Sequence, residues 1–241
     1  MTNQNLPRFF LPHPIEAGHR YLLPESECAH ALQVLRLENG DSVLLLNGYG
    51  ILAQAIIERK GKKQAEVLVE SILIEEAPIS PKHTVYYCPV KSADRNEWFV
   101  EKAVELGLHR IVFILCERSE RKTMNLEKLE QKACSALKQS GRLTMPIMME
   151  GFSFSEAFSL PDTPEHLYIA YLGKEPQEHL FQTLKKGNGS MGVFIGPEGD
   201  FSPNEVALAL SKGAVGVGLG SYTLRTETAA LAAAHCMLLQ S

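Results

Sequence analysis

The sequence lacks the motifs that would make it a metalloprotein, a disulfide-stapled protein or a membrane protein. Its five cysteines (Cys28, Cys88, Cys116, Cys134, Cys236) are odd in number and scattered, with no C-x-x-C pair. That is the usage of reduced thiols in a cytosolic protein rather than of a disulfide framework or a zinc site. Its eight histidines include no H-E-x-x-H or other ligand spacing, so no metal is expected. The opening M-T-N-Q-N-L-P-R-F-F is not a charged-then-apolar signal pattern, and no run approaches the ~18 apolar residues of a membrane span. We therefore expect a cytoplasmic protein with no membrane contact. A G-x-x-x-x-G-K-S/T motif is absent, which excludes a P-loop, and so is the G-x-S-x-G nucleophile elbow. An overall excess of basic charge is missing too, the formal charge being −4.

What is present is enough apolar material for a sizeable core, 45% hydrophobic over 241 residues, a length comfortable for two domains. The charge is unevenly spread. Residues 82–142 hold 12 Lys and Arg against 8 Asp and Glu, whereas the segments on either side are acidic. A local basic patch is the footprint that matters for a phosphate backbone, although a solvated helix face explains such charge more often.

Residues 1–75 read as an all-β module, with short apolar runs at Arg8–Leu11, Tyr21–Leu23, Ser42–Leu46, Ile51–Glu58 and Ala65–Ile74. The Asn47-Gly48 turn is a strong hairpin cue, and closely spaced strands of this kind suggest a small barrel. A helix over Glu25–Leu37 interrupts them. Residues 76–82, with two prolines, are the best linker candidate. From residue 83 strands and helices alternate, as in a parallel sheet covered on both faces. Strands are expected at His83–Pro89, Ile111–Leu115, Met145–Met149, His166–Leu172, Met191–Ile195 and Val215–Leu219. Helices are expected from Asp94 (capping with Glu97) to the stop at Gly107, over Leu126–Ser140, near Ser155–Phe158, over Glu175–Lys185, from Ser202-Pro203-Asn204-Glu205 onward, and from a Thr226 cap to Leu239.

The most suggestive stretch is the last fifty residues. Two glycine-bearing loops stand there, G-P-E-G-D-F at Gly196–Phe201 and G-L-G-S-Y-T-L-R-T-E-T-A at Gly218–Ala229, each between an apolar run and a helix. Strand-to-helix turns of this kind let backbone amides and carbonyls approach a ligand. G-x-G-x-G at Gly216–Gly220 invites a dinucleotide reading, but too little chain follows for the βαβ unit that fingerprint needs. Glu198 suits either a ligand contact or a local cap. Glu227 favours the helix dipole and so has a structural explanation, whereas Arg225 gains nothing from a helix N-terminus and is the more suspicious. Lys102, Lys128 and Lys132 fall mid-helix as a solvated face. Other cations, Lys91, Arg95, Arg118, Arg121, Lys122, Lys138 and Arg142, fall near strand or helix ends. Arg8 beside Phe9 and Phe10 pairs a charge with two aromatics, commonly core residues and sometimes a base-stacking platform.

Taken in order, R-F-F at Arg8, H-A-L-Q-V-L-R…G-D from His30 to Asp41, and K-S-A-D-R-N-E-W-F-V-E-K-A-V-E-L-G from Lys91 to Gly107 form a recognisable series. It continues with E-R-S at Glu117, K-Q-S-G-R at Lys138–Arg142, I-G-P-E-G at Ile195, and L-G…L-R-T-E-T-A from Leu219. This series resembles the RsmE-type family of ribosomal RNA methyltransferases, within the SPOUT superfamily of S-adenosylmethionine enzymes. The resemblance implies an α/β fold. A PUA-like β-barrel that binds RNA (1–75) would precede a methyltransferase domain (83–241) with a mostly parallel sheet and a C-terminal trefoil knot. Chain physics alone would not propose the knot, because threaded connections are nearly absent from proteins.

The resemblance also implies methylation of uridine N3 in 16S ribosomal RNA, within the 30S subunit, by a homodimer joined through the knot region. Cofactor contacts would come from Tyr171, Leu172, Gly173, Ile195, Gly196, Pro197, Gly199, Leu219, Gly220, Ser221, Leu224 and Thr228. Arg225, Arg142 and Glu198 are the catalytic candidates, with Glu227 a second carboxylate able to orient an arginine. Arg8, Arg36, Lys91, Arg95, Arg118, Arg121 and Lys138 would hold RNA. The sequence departs from the common pattern at Asp200, where a second glycine usually stands, and at Ser221–Thr223. A non-catalytic RNA-binding module and, remotely, a nicotinamide oxidoreductase are the rival classes.

Overall fold

The computed structural model describes residues 6–61, 63–80, 82–121, 123–173, 177–184 and 189–240. It divides into two compact units, Met1–Pro78 with Leu137–Met145, and Ile79–Ala136 with Pro146–Ser241.

The first unit is a five-stranded mixed sheet in the order β1-β3-β4-β5-β2. Its strands are β1 (Arg8–Phe10), β2 (Arg20–Leu22), β3 (Ser42–Leu46), β4 (Ile51–Arg59) and β5 (Ala65–Glu75). β3, β4 and β5 form an antiparallel meander, β2 adds antiparallel to β5, and β1 lies parallel to β3. The Asn47-Gly48 signal is realised as the β3–β4 connection, where the Asn47 carboxamide oxygen accepts the N–H groups of Tyr49 (2.8 Å) and Ile51 (3.1 Å). Alternation along β4 sends Ala53, Ala55 and Ile57 inward to meet Phe9, Val43, Leu45, Val67 and Val69. The expected single helix is split. α1 (Glu25–Ala29) runs into a π-helical turn at His30–Val34, and Arg36 leaves it at φ 56°, in the left-handed region.

The second unit carries a six-stranded all-parallel sheet in the order β11-β9-β10-β6-β7-β8. Its strands are β6 (Thr84–Tyr87), β7 (Arg110–Leu115), β8 (Ile147–Ser153), β9 (His166–Ala170), β10 (Met191–Ile195) and β11 (Val215–Val217). Its helices are α2 (Ala93–Leu106), α3 (Leu126–Ser140, which ends in the first unit), α4 (Leu180–Thr183), α5 (Pro203–Ser211) and α6 (Thr226–Leu238). The central strands β6 and β10 are buried at every position, the mark of a sheet covered on both faces. Successive tyrosines show the two layers. Tyr86 stacks on Phe194 (4.2 Å) on one side, and Tyr87 on Phe99 of α2 (4.6 Å) on the other. After β10 the chain passes through α5 and reaches β11 on the far side of β9.

Local capping differs from expectation in two places. α2 begins after Ser92, so Asp94 sits inside its first turn, and Glu97 reaches Lys128 of α3 (2.6 Å) instead of closing a capping box. α6 begins after Arg225, which leaves Thr226 as a buried first-turn residue rather than a cap. In both cases packing of the helix against its neighbours overrides the local signal. The Ser202–Glu205 capping box forms in full, and Gly107 ends α2 in a left-handed conformation. Of the segment expected to be helical at Glu175–Lys185, α4 covers Leu180–Thr183, while Glu175 and Lys185 lie outside the described residues. The three mid-helix lysines are partly exposed and lace α2 to α3 or to itself, Lys132 meeting Glu101 and Lys102 meeting Glu101 and Glu105. No helix among the described residues is long and apolar enough to cross a membrane, and none of their side chains form a metal-binding group of three or more.

Candidate functional site

Strands β9, β10 and β11 lie side by side in parallel, so the loops that follow them open at one edge of the sheet, where open α/β sheets take ligands. Those loops, with the starts of α4 and α6, enclose a cleft of about 990 Å³. Its walls are Tyr171–Gly173 after β9, Ile195–Glu198 with Asp200 after β10, and Gly218–Arg225 after β11. Gln177–His179 and Gln182 add a further side, and Arg95 reaches in from α2. Gly199 and Thr228, expected at the cofactor, do not line the cleft; the other ten expected cofactor residues do. Sequence reasoning missed the Gln177–Gln182 side. Its one local signal is His179, whose Nδ1 accepts the Phe181 N–H (3.2 Å) and starts α4.

The G-x-G-x-G pattern has a packing explanation. A Cβ on Gly216 would stand 2.9 Å from the Tyr171 ring, so the glycine lets that ring close over β11. Past it the backbone is left open. Among the described residues, Leu219–Leu224 make no backbone hydrogen bond, which leaves their amides and carbonyls for a ligand.

The charged groups of the cleft are predominantly acidic, with Glu178, Glu198, Asp200 and Glu227 against Arg95 and Arg225. Glu227 is nearly buried. One of its carboxylate oxygens lies 3.7 Å from Arg95 Nε, and the other is buried with no hydrogen-bond partner among the described residues. Glu198 is exposed, and among the described residues it accepts the Lys91 N–H at 3.4 Å. Arg225 is exposed, and its guanidinium makes no hydrogen bond or ion pair among the described residues. An acidic cleft with unspent backbone groups fits S-adenosylmethionine, whose sulfonium is cationic and whose adenine and ribose take backbone hydrogen bonds.

The loop after β7 braces this region. Arg118 donates to the Gly199 carbonyl at 2.7 Å and more distantly to that of Phe201. Arg121 donates to the Lys91 carbonyl at 3.1 Å, and the Glu117 N–H donates to Glu205. Two buried thiols lie beneath. Cys88 bonds Ser119 (3.0 Å), and hydrogen bonding from Cys116 and Ser119 holds its thiol below the usual range while that of Cys116 is pushed up. Both cysteines are free, as are the other three. Lys91 remains exposed, with a long ion pair to Glu120 (3.6 Å). Lys122 lies outside the described residues.

In the first unit Arg8 and the K-Q-S-G-R segment come together. Arg8 donates to the Lys138 carbonyl (3.0 Å), and a Cβ on Gly141 would stand 3.3 Å from the Arg8 guanidinium, so the glycine leaves room for it. The Lys138 ammonium is taken up by the buried Glu27 at 2.6 Å. Arg142 and Arg36 are exposed.

A family profile described as an RNA methyltransferase domain matches residues 77–238, and one described as an RNA methyltransferase PUA domain matches residues 23–70. The Bacillus subtilis ribosomal RNA small subunit methyltransferase E is 27% identical over 94% of this chain and 93% of its own length. The structure of a probable rRNA-methyltransferase from Porphyromonas gingivalis is 35% identical, with a TM-score of 0.85 over 98% of both chains. The Neisseria gonorrhoeae ribosomal RNA small subunit methyltransferase E, bound to S-adenosyl methionine, is 30% identical, with a TM-score of 0.81 over 97% of both chains. Both layers of the fold and nearly the full length being shared, the chain belongs to the ribosomal RNA small subunit methyltransferase E family.

Proposed function

We infer that this chain transfers the methyl group of S-adenosylmethionine to N3 of a uridine in 16S ribosomal RNA. The carrying observation is the acidic cleft at the ends of β9, β10 and β11, with the exposed Arg225 in its lining and unpaired among the described residues. When bound, the cofactor supplies an electrophilic methyl group; the protein's part is to position the acceptor and make it nucleophilic. Uridine N3 carries a proton at neutral pH and attacks only once that proton leaves. Arg225 stabilises the resulting uridinate, because a guanidinium presents several donors to an anionic oxygen in fixed geometry. Glu198, exposed in the same cleft lining, orients Arg225 or receives the proton. The Glu227–Arg95 pair holds the cleft wall.

The cations left for RNA are Arg36 and Arg225, which have no side-chain partner among the described residues, together with Arg142 and the loosely paired Lys91. Arg118, Arg121 and Lys138 serve mainly as braces, Arg8 orders the segment that carries Arg142, and Arg95 faces the cleft. The assembled 30S subunit, in the cytoplasm, is the proposed substrate, and a homodimer through the C-terminal region the proposed working form. α6 is apolar nearly all round, Leu239 at its C-cap is 61% exposed, and Trp98 on the neighbouring α2 is 40% exposed. Sedimentation equilibrium should give twice the chain mass; a monomer at micromolar concentration would refute the dimer. Purified protein given isotopically labelled cofactor and 30S subunits should yield labelled 3-methyluridine after nuclease digestion. Label in any other nucleoside would refute the N3 assignment.

A further inference from the structure

We propose that Asp200 is a positioning residue that clamps the two cofactor loops together. Its carboxylate joins the loops that follow adjacent strands, since Oδ2 accepts the Leu172 N–H (2.9 Å) after β9 and Oδ1 accepts the Phe201 N–H (2.8 Å) after β10. The loop after β10 is closed by the Asp200 N–H on the Pro197 carbonyl (3.0 Å) and gripped by Arg118 on the Gly199 carbonyl (2.7 Å). In the described part of the loop after β9, the Gly173 N–H donates to the Tyr171 carbonyl (3.2 Å). The Leu172 side chain is 67% exposed, so burial does not fix its place, and the charge-assisted bond to Asp200 does.

The residue type follows from the geometry. Asp200 adopts φ 60°, a conformation that residues with a side chain rarely take and that glycine takes freely. Asparagine tolerates this conformation too, yet it is uncharged and offers its single oxygen at one place, whereas the two N–H groups here reach two different carboxylate oxygens. A short carboxylate supplies an oxygen at each of these places together with the charge that strengthens both bonds. Leu172 and Asp200 both line the cleft, so the clamp presents the cofactor with a preformed rim, and the ordering cost is not drawn from binding.

The test is calorimetric titration of the full-length chain with S-adenosylmethionine, for wild type, Asp200→Asn and Asp200→Gly. Glycine relieves the backbone and removes both bonds; asparagine removes the charge and replaces one of the two acceptor oxygens by a donor. Dissociation constants should rise in the order wild type, asparagine, glycine, by about tenfold for glycine, with melting temperatures unchanged. At saturating cofactor kcat should stay within about twofold while the cofactor KM rises in step with the dissociation constant. Amide exchange at Leu172 should quicken by at least about tenfold in Asp200→Gly. Equal binding by all three proteins, kcat falling in step with melting temperature, or unchanged exchange at Leu172 would each overturn the clamp. A wild-type chain that takes up no S-adenosylmethionine would overturn the cofactor reading and the clamp with it.

Discussion

Replacing Arg225 by alanine should cut kcat for methyl transfer by at least about 100-fold, the scale of a lost anion-stabilising group. The reason is where the residue stands. It precedes α6 and lines the cleft, yet its guanidinium is exposed and contributes to no ion pair or hydrogen bond among the described residues. A cation placed at a helix N-terminus works against the helix dipole, so nothing in the fold rewards it there. Cofactor affinity should change by no more than about threefold, because the cofactor is assigned to loop backbone rather than to this side chain. Melting temperature should hold. Calorimetry and single-turnover methylation of the same protein check both halves, and turnover within a few-fold of wild type would refute the role given to Arg225.

The largest loss of stability is expected from Asn96→Ala. Asn96 lies in α2 with no exposed surface, and its carboxamide makes three bonds. The oxygen accepts from the Tyr87 hydroxyl (2.9 Å) and the Val90 N–H (3.0 Å), and the nitrogen donates to the Val90 carbonyl (2.8 Å). Alanine would strand three buried polar groups, a hydroxyl, an amide and a carbonyl, at a cost of about 3 kcal/mol in denaturant unfolding. The same change frees the 88–91 segment that leads from β6 to Lys91. A loss below about 1 kcal/mol would mean that water or rearrangement replaces those bonds.

Most of the sheet was legible because its signals are local. Continuous apolar runs mark β6, β7 and β10, and the Ser202–Glu205 box marks the start of α5 within four residues. The two glycine loops were legible as a candidate site for the same reason, each sitting between a strand and a helix, and the fold brings them to one cleft. What local sequence does not carry is the partner of a long side chain. Arg118, expected at RNA, also donates to the Gly199 carbonyl, 81 positions away in the chain, which no local pattern announces. Lys138 finds Glu27 across 111 positions, and Asp200 finds Leu172 across 28. Capping failed at Asp94 and Thr226 because tertiary packing set where α2 and α6 begin. Gly216 looked like part of a nucleotide fingerprint, and the Tyr171 ring that requires it lies on another strand's loop.

The most direct test of the account is mass-spectrometric mapping of 16S ribosomal RNA from cells with and without this protein. The account predicts one 3-methyluridine that vanishes on deletion, returns with the wild-type chain and does not return with Arg225→Ala. An unchanged modification map, or loss of a methyl group elsewhere than on uridine N3, would contradict it.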